Sequence, residues 1–134
     1  MTAEASGLNA GRKIADLRRL QDGWRNGDGI SFDADYLAWL SDAFSRMYPA
    51  DAPAPTICPT TYGIVSAEWA LPGTEVSLEI EPETRQGDLV WASAATGQSD
   101  EIAIDMTKPE GWIRLTEHIS HCAWGERPCL TLTA

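Results

Sequence analysis

The sequence predicts an α+β fold: a roughly four-stranded antiparallel meander with one face covered by two or three helices. Three observations carry this. Apolar residues recur at helical spacing up to residue 48, the period changes to two between Gly63 and Met106, and a helical pattern returns after Pro109. The apolar fraction of 43% suffices for a single core, so one domain over residues 1–134 is expected. Within it, residues 1–9 read as loose, 10–48 as a helical pair, 60–106 as the meander and 109–122 as a C-terminal helix.

Each element has a local reason. From Gly11 to Gln21, Ile14, Leu17 and Leu20 repeat at helical spacing, and Asp22-Gly23 stops the pattern. Arg25 to Gly29 is a loop by composition, and Trp24 beside it is expected to fold back over the core. A second helix fits Asp33 to Met47, with Ser31 as N-cap and Asp33 and Asp35 at the positive end of its dipole. Phe32, Tyr36, Leu37, Leu40, Phe44 and Met47 form its apolar stripe. Prolines at 53, 55 and 59 exclude a helix there, so Asp51–Pro59 reads as an extended strut toward the sheet.

In Gly63–Leu71 and Thr74–Glu81 apolar and polar residues alternate, and Pro72-Gly73 marks the turn between them. Folding at that turn sets Trp69 opposite Val76, Ala67 opposite Leu78 and Val65 opposite Ile80, with Glu68, Ser77, Ser66 and Glu79 on the other face. Asp88–Ala92 and Glu101–Met106 read as two further strands, punctuated by Gln86-Gly87 and Thr96-Gly97. Pro109 opens the last helix, which carries Trp112, Ile113, Leu115 and Ile119. Leu130-Thr131-Leu132-Thr133 has the pattern of an added edge strand.

Charge is the strongest functional signal. The formal net charge is -10, and nine acids against one base, Arg85, lie between Thr60 and Asp105. An acidic surface repels phosphates and anionic membranes, so neither direct nucleic-acid binding nor membrane binding is expected. It attracts a basic protein, including one whose own groove binds nucleic acid. The plainer account of the charge is solubility. The start of the chain shows neither a basic n-region nor an apolar h-region, and no stretch approaches the roughly 20 apolar residues of a membrane span. A cytoplasmic location is therefore expected, and three cysteines, an odd number, fit reduced thiols.

Chemistry-bearing motifs are sparse. His118, His121, Cys122 and Cys129 are all zinc-ligand types, with His118 and His121 one helical turn apart, but no Cys-x-x-Cys pair accompanies them. Their ordinary reading is a helix end with histidines near its negative pole and two small buried thiols. Cys122 beside His121, or Cys129 with either histidine, has the makings of a thiolate pair, yet no orienting third residue follows by motif. Glu79 and Glu81 stand about 7 Å apart on one strand face. A glycosidase needs a cleft with one carboxyl in an apolar setting, and a flat solvated face has neither. No phosphate-binding or dinucleotide-binding glycine motif is present. No cofactor is expected. Among the six tryptophans, Trp39 lies at the edge of its helix's stripe and Trp124 in a polar loop, the placement of interface anchors. Core packing is the alternative for each.

Leu17-x-x-Leu20-x-x-Gly23-Trp24, the helix from Ser31-Phe32, the strut ending at Pro59, Gly63-x-Val65-x-x-Glu68-Trp69, Leu78-Glu79-Ile80 and Trp112-x-x-Leu115 occur in that order. Together they resemble a widespread group of small uncharacterised bacterial proteins found in mobile-element or phage-like surroundings. The resemblance implies a helix–helix–meander–helix layout and an accessory role, and carries over no catalytic residue.

The leading expectation is a non-enzymatic acidic module: an inhibitor, antitoxin, immunity protein or anti-CRISPR-type protein. Glu68, Glu75, Glu79 and Glu81 on the sheet, with Glu83, Asp88, Asp100 and Glu101 in adjacent loops and Trp39 and Trp124 as anchors, occupy a basic surface of the partner. Two alternatives stand beside it. One is a small zinc- or thiol-dependent enzyme built on the His/Cys cluster. The other is a structural subunit of a phage or secretion assembly.

Overall fold

A computed structural model of the protein describes residues 5–124. It shows an α+β architecture: a five-stranded antiparallel meander with three helices on one side. The helices are α1 (Ser6–Asp16), α2 (Ala34–Met47) and α3 (Pro109–Trp124). The strands are β1 (Thr56–Pro59), β2 (Val65–Leu71), β3 (Thr74–Ile80), β4 (Gln86–Ser93) and β5 (Ser99–Asp105), in that spatial order.

The β2–β3 register is the one the alternation predicts: Val65 pairs with Ile80, Ala67 with Leu78 and Trp69 with Val76. A two-residue turn, Pro72-Gly73, sets it. Gly73 has φ 74°, a conformation that costs glycine nothing. The β3–β4 and β4–β5 loops share one design. Arg85 N–H donates to Glu81 C=O and Gly97 N–H to Ser93 C=O, and the donor residue is left-handed in each case (φ 59° and 72°). Thr84 and Thr96 each accept the N–H of the glutamine two residues on. The lone base of the sheet region thus occupies a position that elsewhere in the sheet is glycine. Its guanidinium lies 4.7 Å from the Trp39 ring centroid, a contact worth about 0.5–1 kcal/mol where exposed, which offsets some backbone strain.

The fold differs from the sequence expectation in several places. Among the described residues there are five strands, because the proline strut ends in a pairing: Thr56–Pro59 lies along Val65–Glu68 as an edge strand, where a missing proline N–H is tolerated. Helix begins at Ser6, so residues 6–9 are ordered rather than loose, and α1 ends at Asp16, followed by a single 3-10 turn, Leu17–Arg19. Asp33, not Ser31, caps α2, accepting the Tyr36 N–H at 2.9 Å. Arg25–Asp28 is a tight hairpin with Asn26 and Gly27 both at positive φ, the Asn-Gly signature. The expected edge strand at 130–133 lies outside the described residues.

The core sits between the sheet and α2 and α3. Trp69, Leu78, Ile80 and Leu89 rise from the sheet, and Leu40, Phe44, Trp112, Leu115 and Ile119 meet them. Phe44 and Trp112 pack edge to face at 4.8 Å, tying α2 to α3. Two tyrosines anchor α2 to the sheet through polar bonds. Tyr36 Oη donates to Ile80 C=O at 2.5 Å and accepts the Val65 N–H at 3.0 Å, clamping both members of one ladder pair. Tyr48 Oη accepts from Trp69 Nε1 at 3.0 Å and donates to Pro53 C=O.

α1 packs on α2 through small residues. A Cβ on Gly7 would lie 2.5 Å from Phe44 O, and one on Gly11 2.7 Å from Ser41 O. Ser41 Oγ donates to Gly11 C=O at 2.6 Å. The poor helix propensity of two glycines is outweighed by backbone-to-backbone contact that side chains forbid.

Gly11→Ala is therefore expected to lower stability by about 1–3 kcal/mol in urea unfolding, despite the better helix propensity of alanine. A neutral or stabilising result refutes the close contact. Burial pushes both Tyr36 and Tyr48 up to about 12, opposed by the Val65 and Trp69 hydrogen bonds respectively. Each tyrosine favours the fold fully below pH 10, its ordinary value, and loses that contribution as pH rises from 10 to 12. Thermal unfolding across that window should show the decline, and the Tyr36→Phe, Tyr48→Phe double variant should show a shallower one.

Candidate acidic interface

Pleating sorts the carboxylates. In rows across the sheet, Thr56, Glu68, Ser77, Val90 and Glu101 share the face away from the helices. So do Cys58, Ser66, Glu79, Asp88 and Ala103, and likewise Ala70, Glu75, Ala92 and Ser99. Glu81, Gln86 and Asp105 continue the same parity at the turn end. Seven carboxylates thus stand on one face, from Glu68, Glu75, Glu79, Glu81, Asp88, Glu101 and Asp105. None of the five strands contains a Lys, Arg or His. Two strands apart is about 10 Å, and same-face neighbours along a strand are about 7 Å apart, so this negative potential is dense on the scale of the Debye length.

Asp88 and Glu101, read both as the first residues of two strands and as acids of the adjacent loops, lie inside β4 and β5, each of which begins two residues earlier. Asp100 has the opposite parity: it pairs with Trp91, a core residue, and is exposed only because it lies at the end of β5. It therefore departs from the acidic face. Glu83 is exposed in the β3–β4 loop.

The face has relief. A shallow depression of about 420 Å³ opens beside β2 and β3, floored by Ala70, Ser77, Val90 and Ala92 and bordered by Glu68 and Glu75. Small side chains between carboxylates make it concave. Tyr62, in the β1–β2 connection, reaches this face and lies within hydrogen-bond distance of Glu79, Oη to Oε2 3.3 Å. The Glu79 charge raises the Tyr62 hydroxyl pKa above its ordinary value. Asp105 is held below the usual carboxylate range, chiefly by hydrogen bonds from the Thr107 hydroxyl and N–H, with Gln86 and Lys108 adding to them. Cys58, on the same face at the sheet edge, is a free thiol raised by burial and then by Glu68, which disfavours the reactive thiolate.

The other expected sites are placed less favourably. Trp39 is half-buried under the Arg85 guanidinium, so its ring is not a bare anchor. Trp124 ends α3, and its side chain lies outside the described residues, as does Cys129. His118 is buried against Trp91, with ring centroids 4.4 Å apart. Cys122 is buried near the end of α3. Among the described residues no three His, Cys, Asp or Glu side chains are grouped to hold a metal. No described helix is long and apolar enough to cross a membrane.

Sequence reasoning missed Tyr62 as a member of this surface, and counted Asp105 among the acids of the sheet region without assigning it to the interface. A tyrosine within the polar turn Thr60-Thr61-Tyr62-Gly63 was the available signal for the first, since nothing in a turn offers it a core position.

Burial pushes His118 down to about 4, aided by the nearby charges of His121 and Arg114. Between pH 6.5 and 4 the unfolded chain therefore binds a proton that the folded chain does not, and stability falls as pH drops through that window. His118→Gln should flatten this limb of a thermal-stability profile relative to the parent protein; parallel profiles would contradict the burial effect. In comparisons with known proteins, the chain matches no family model, no curated protein and no solved structure.

Proposed function

We propose that the protein is a non-enzymatic module that binds the basic surface of a partner protein through its acidic sheet face. The observation that carries the reading is the placement of seven carboxylates and no strand cation on the side of the sheet that the helices leave open. A surface kept only for solubility needs charge of either sign spread over the molecule. Here the acids converge on one rigid plane. Carboxylates on a sheet imitate the regular charge of a nucleic-acid backbone, and a groove lined by Lys and Arg is their natural complement. Inhibition of a nucleic-acid-binding enzyme or toxin, as by an antitoxin, immunity protein or anti-CRISPR, follows by occupation of that groove.

The test is affinity capture from native-host lysate, with and without nuclease, read by mass spectrometry. A Glu75→Lys, Asp88→Lys variant serves as the control; both residues are exposed, so stability should change by no more than about 0.5 kcal/mol. The expected result is a basic protein that survives nuclease treatment and is lost with the control variant. Its association rate should fall about tenfold or more when salt is raised from low to physiological ionic strength and beyond. A partner retained by the charge-reversed variant rules out the acidic face.

A further inference from the structure

The acidic face has an apolar margin that its charge does not explain. Tyr62 is 56% exposed and Ile30 52% exposed. They come from loops about thirty residues apart in sequence, joined by the Ile30 N–H donating to Thr61 C=O at 3.0 Å. The Ile30 side chain also closes on Gly63, where an added Cβ would lie 3.1 Å from Cδ1.

Both loops are braced. Trp24 Nε1 donates to Ile30 C=O at 3.1 Å, and the Ser31 N–H donates to Asp22 Oδ1 at 2.8 Å. Thr60 Oγ1 accepts the Ile64 N–H at 3.1 Å and donates to Ile64 C=O at 2.7 Å. Tyr62 is steered toward Glu79, a carboxylate of the acidic face.

Large apolar side chains held on braced loops lose little conformational freedom when a partner covers them. An aromatic and an aliphatic side chain beside a charged field have the composition of an interface hot spot with its polar rim. A second copy of this chain is a poor occupant, because it would bring a like-charged face to this one.

We propose that Tyr62 and Ile30 are the apolar anchor of the interface, and that the partner is a protein whose cationic groove is bordered by an apolar pocket. The proposal rests on the acidic-face reading and adds a division of labour. The carboxylates set the association rate and its salt dependence. The anchor sets the lifetime of the complex and selects one cationic protein from others that carboxylates alone attract equally.

Two synthetic helical peptides of equal arginine content test this, one with alanine at its remaining positions and the other with two of those alanines replaced by tryptophan. Binding is followed by surface plasmon resonance on the full chain. The expected result is about tenfold tighter binding of the tryptophan peptide, through slower dissociation. Tyr62→Ala with Ile30→Ser should remove that preference, bringing the two peptides to equal affinity, whereas Tyr62→Phe should keep it. The single substitutions are read alongside, so that a folding defect in the double variant does not decide the matter. Equal binding of both peptides, lost on Glu75→Lys, Asp88→Lys, overturns the anchor and leaves the acidic face standing. A preference that survives removal of Tyr62 and Ile30 also overturns the anchor. Binding of neither peptide overturns both readings.

Discussion

Side chains two residues apart on a strand share a face, and that pleat rule governs this molecule. In β2 and β3 it sends Val65, Ala67, Trp69, Val76, Leu78 and Ile80 to the helix side, all 2% exposed or less. The same rule leaves Glu68, Glu75 and Glu79 no other place than the open face. Core and acidic surface are two readings of one register. A slip by one residue would bury carboxylates under α2 and α3 at a cost no surface interaction could offset. The acidic face is therefore as rigidly specified as the core.

The helices complete the arrangement by a mixture of packing and polar contacts. Tyr36 is the most economical of these, since one hydroxyl satisfies both a buried carbonyl and a buried amide of the terminal β2–β3 pair. Tyr48 does similar service for the Trp69 indole. α1 lies behind α2, close enough that Gly7 and Gly11 are required. At the far end of the chain's path, Asp105 O presses so closely on Gly111 that α3 starts directly against the end of β5. These contacts all lie on the helix side and leave the opposite sheet face uncovered by any described element.

The proposed function builds on that asymmetry. Long-range attraction needs like charges held together on a surface that does not rearrange, and an antiparallel sheet with one wet face provides it. Attraction alone discriminates weakly among cationic proteins. In the proposed interface the braced Ile30 and Tyr62 side chains would supply the short-range, shape-dependent contact that charge lacks, and Tyr62 adjoins the carboxylates through Glu79. The lone strand-region base, Arg85, is turned over Trp39, where it shields an aromatic ring instead of interrupting the acidic rows.

Local pattern by itself determined the meander, the β2–β3 register, the identity of α2 and α3, and most of the acidic residues. Each depends on interactions between near neighbours in sequence: a period of two, a Pro-Gly turn, a helical stripe. Local pattern misread what depends on distant partners. The proline strut became β1 because Val65–Glu68 offered an unpaired edge. The glycine-bearing start became α1 because α2 presents Ser41 and Ser45 to it. Asp100 left the acidic face because the β4–β5 register sets it opposite Trp91. The Ile30–Tyr62 margin was invisible, since two loops meet there through a single long-range hydrogen bond. Composition could say that the chain is acidic. Only the tertiary structure decided that the acids form one plane, because that requires the strands to be paired.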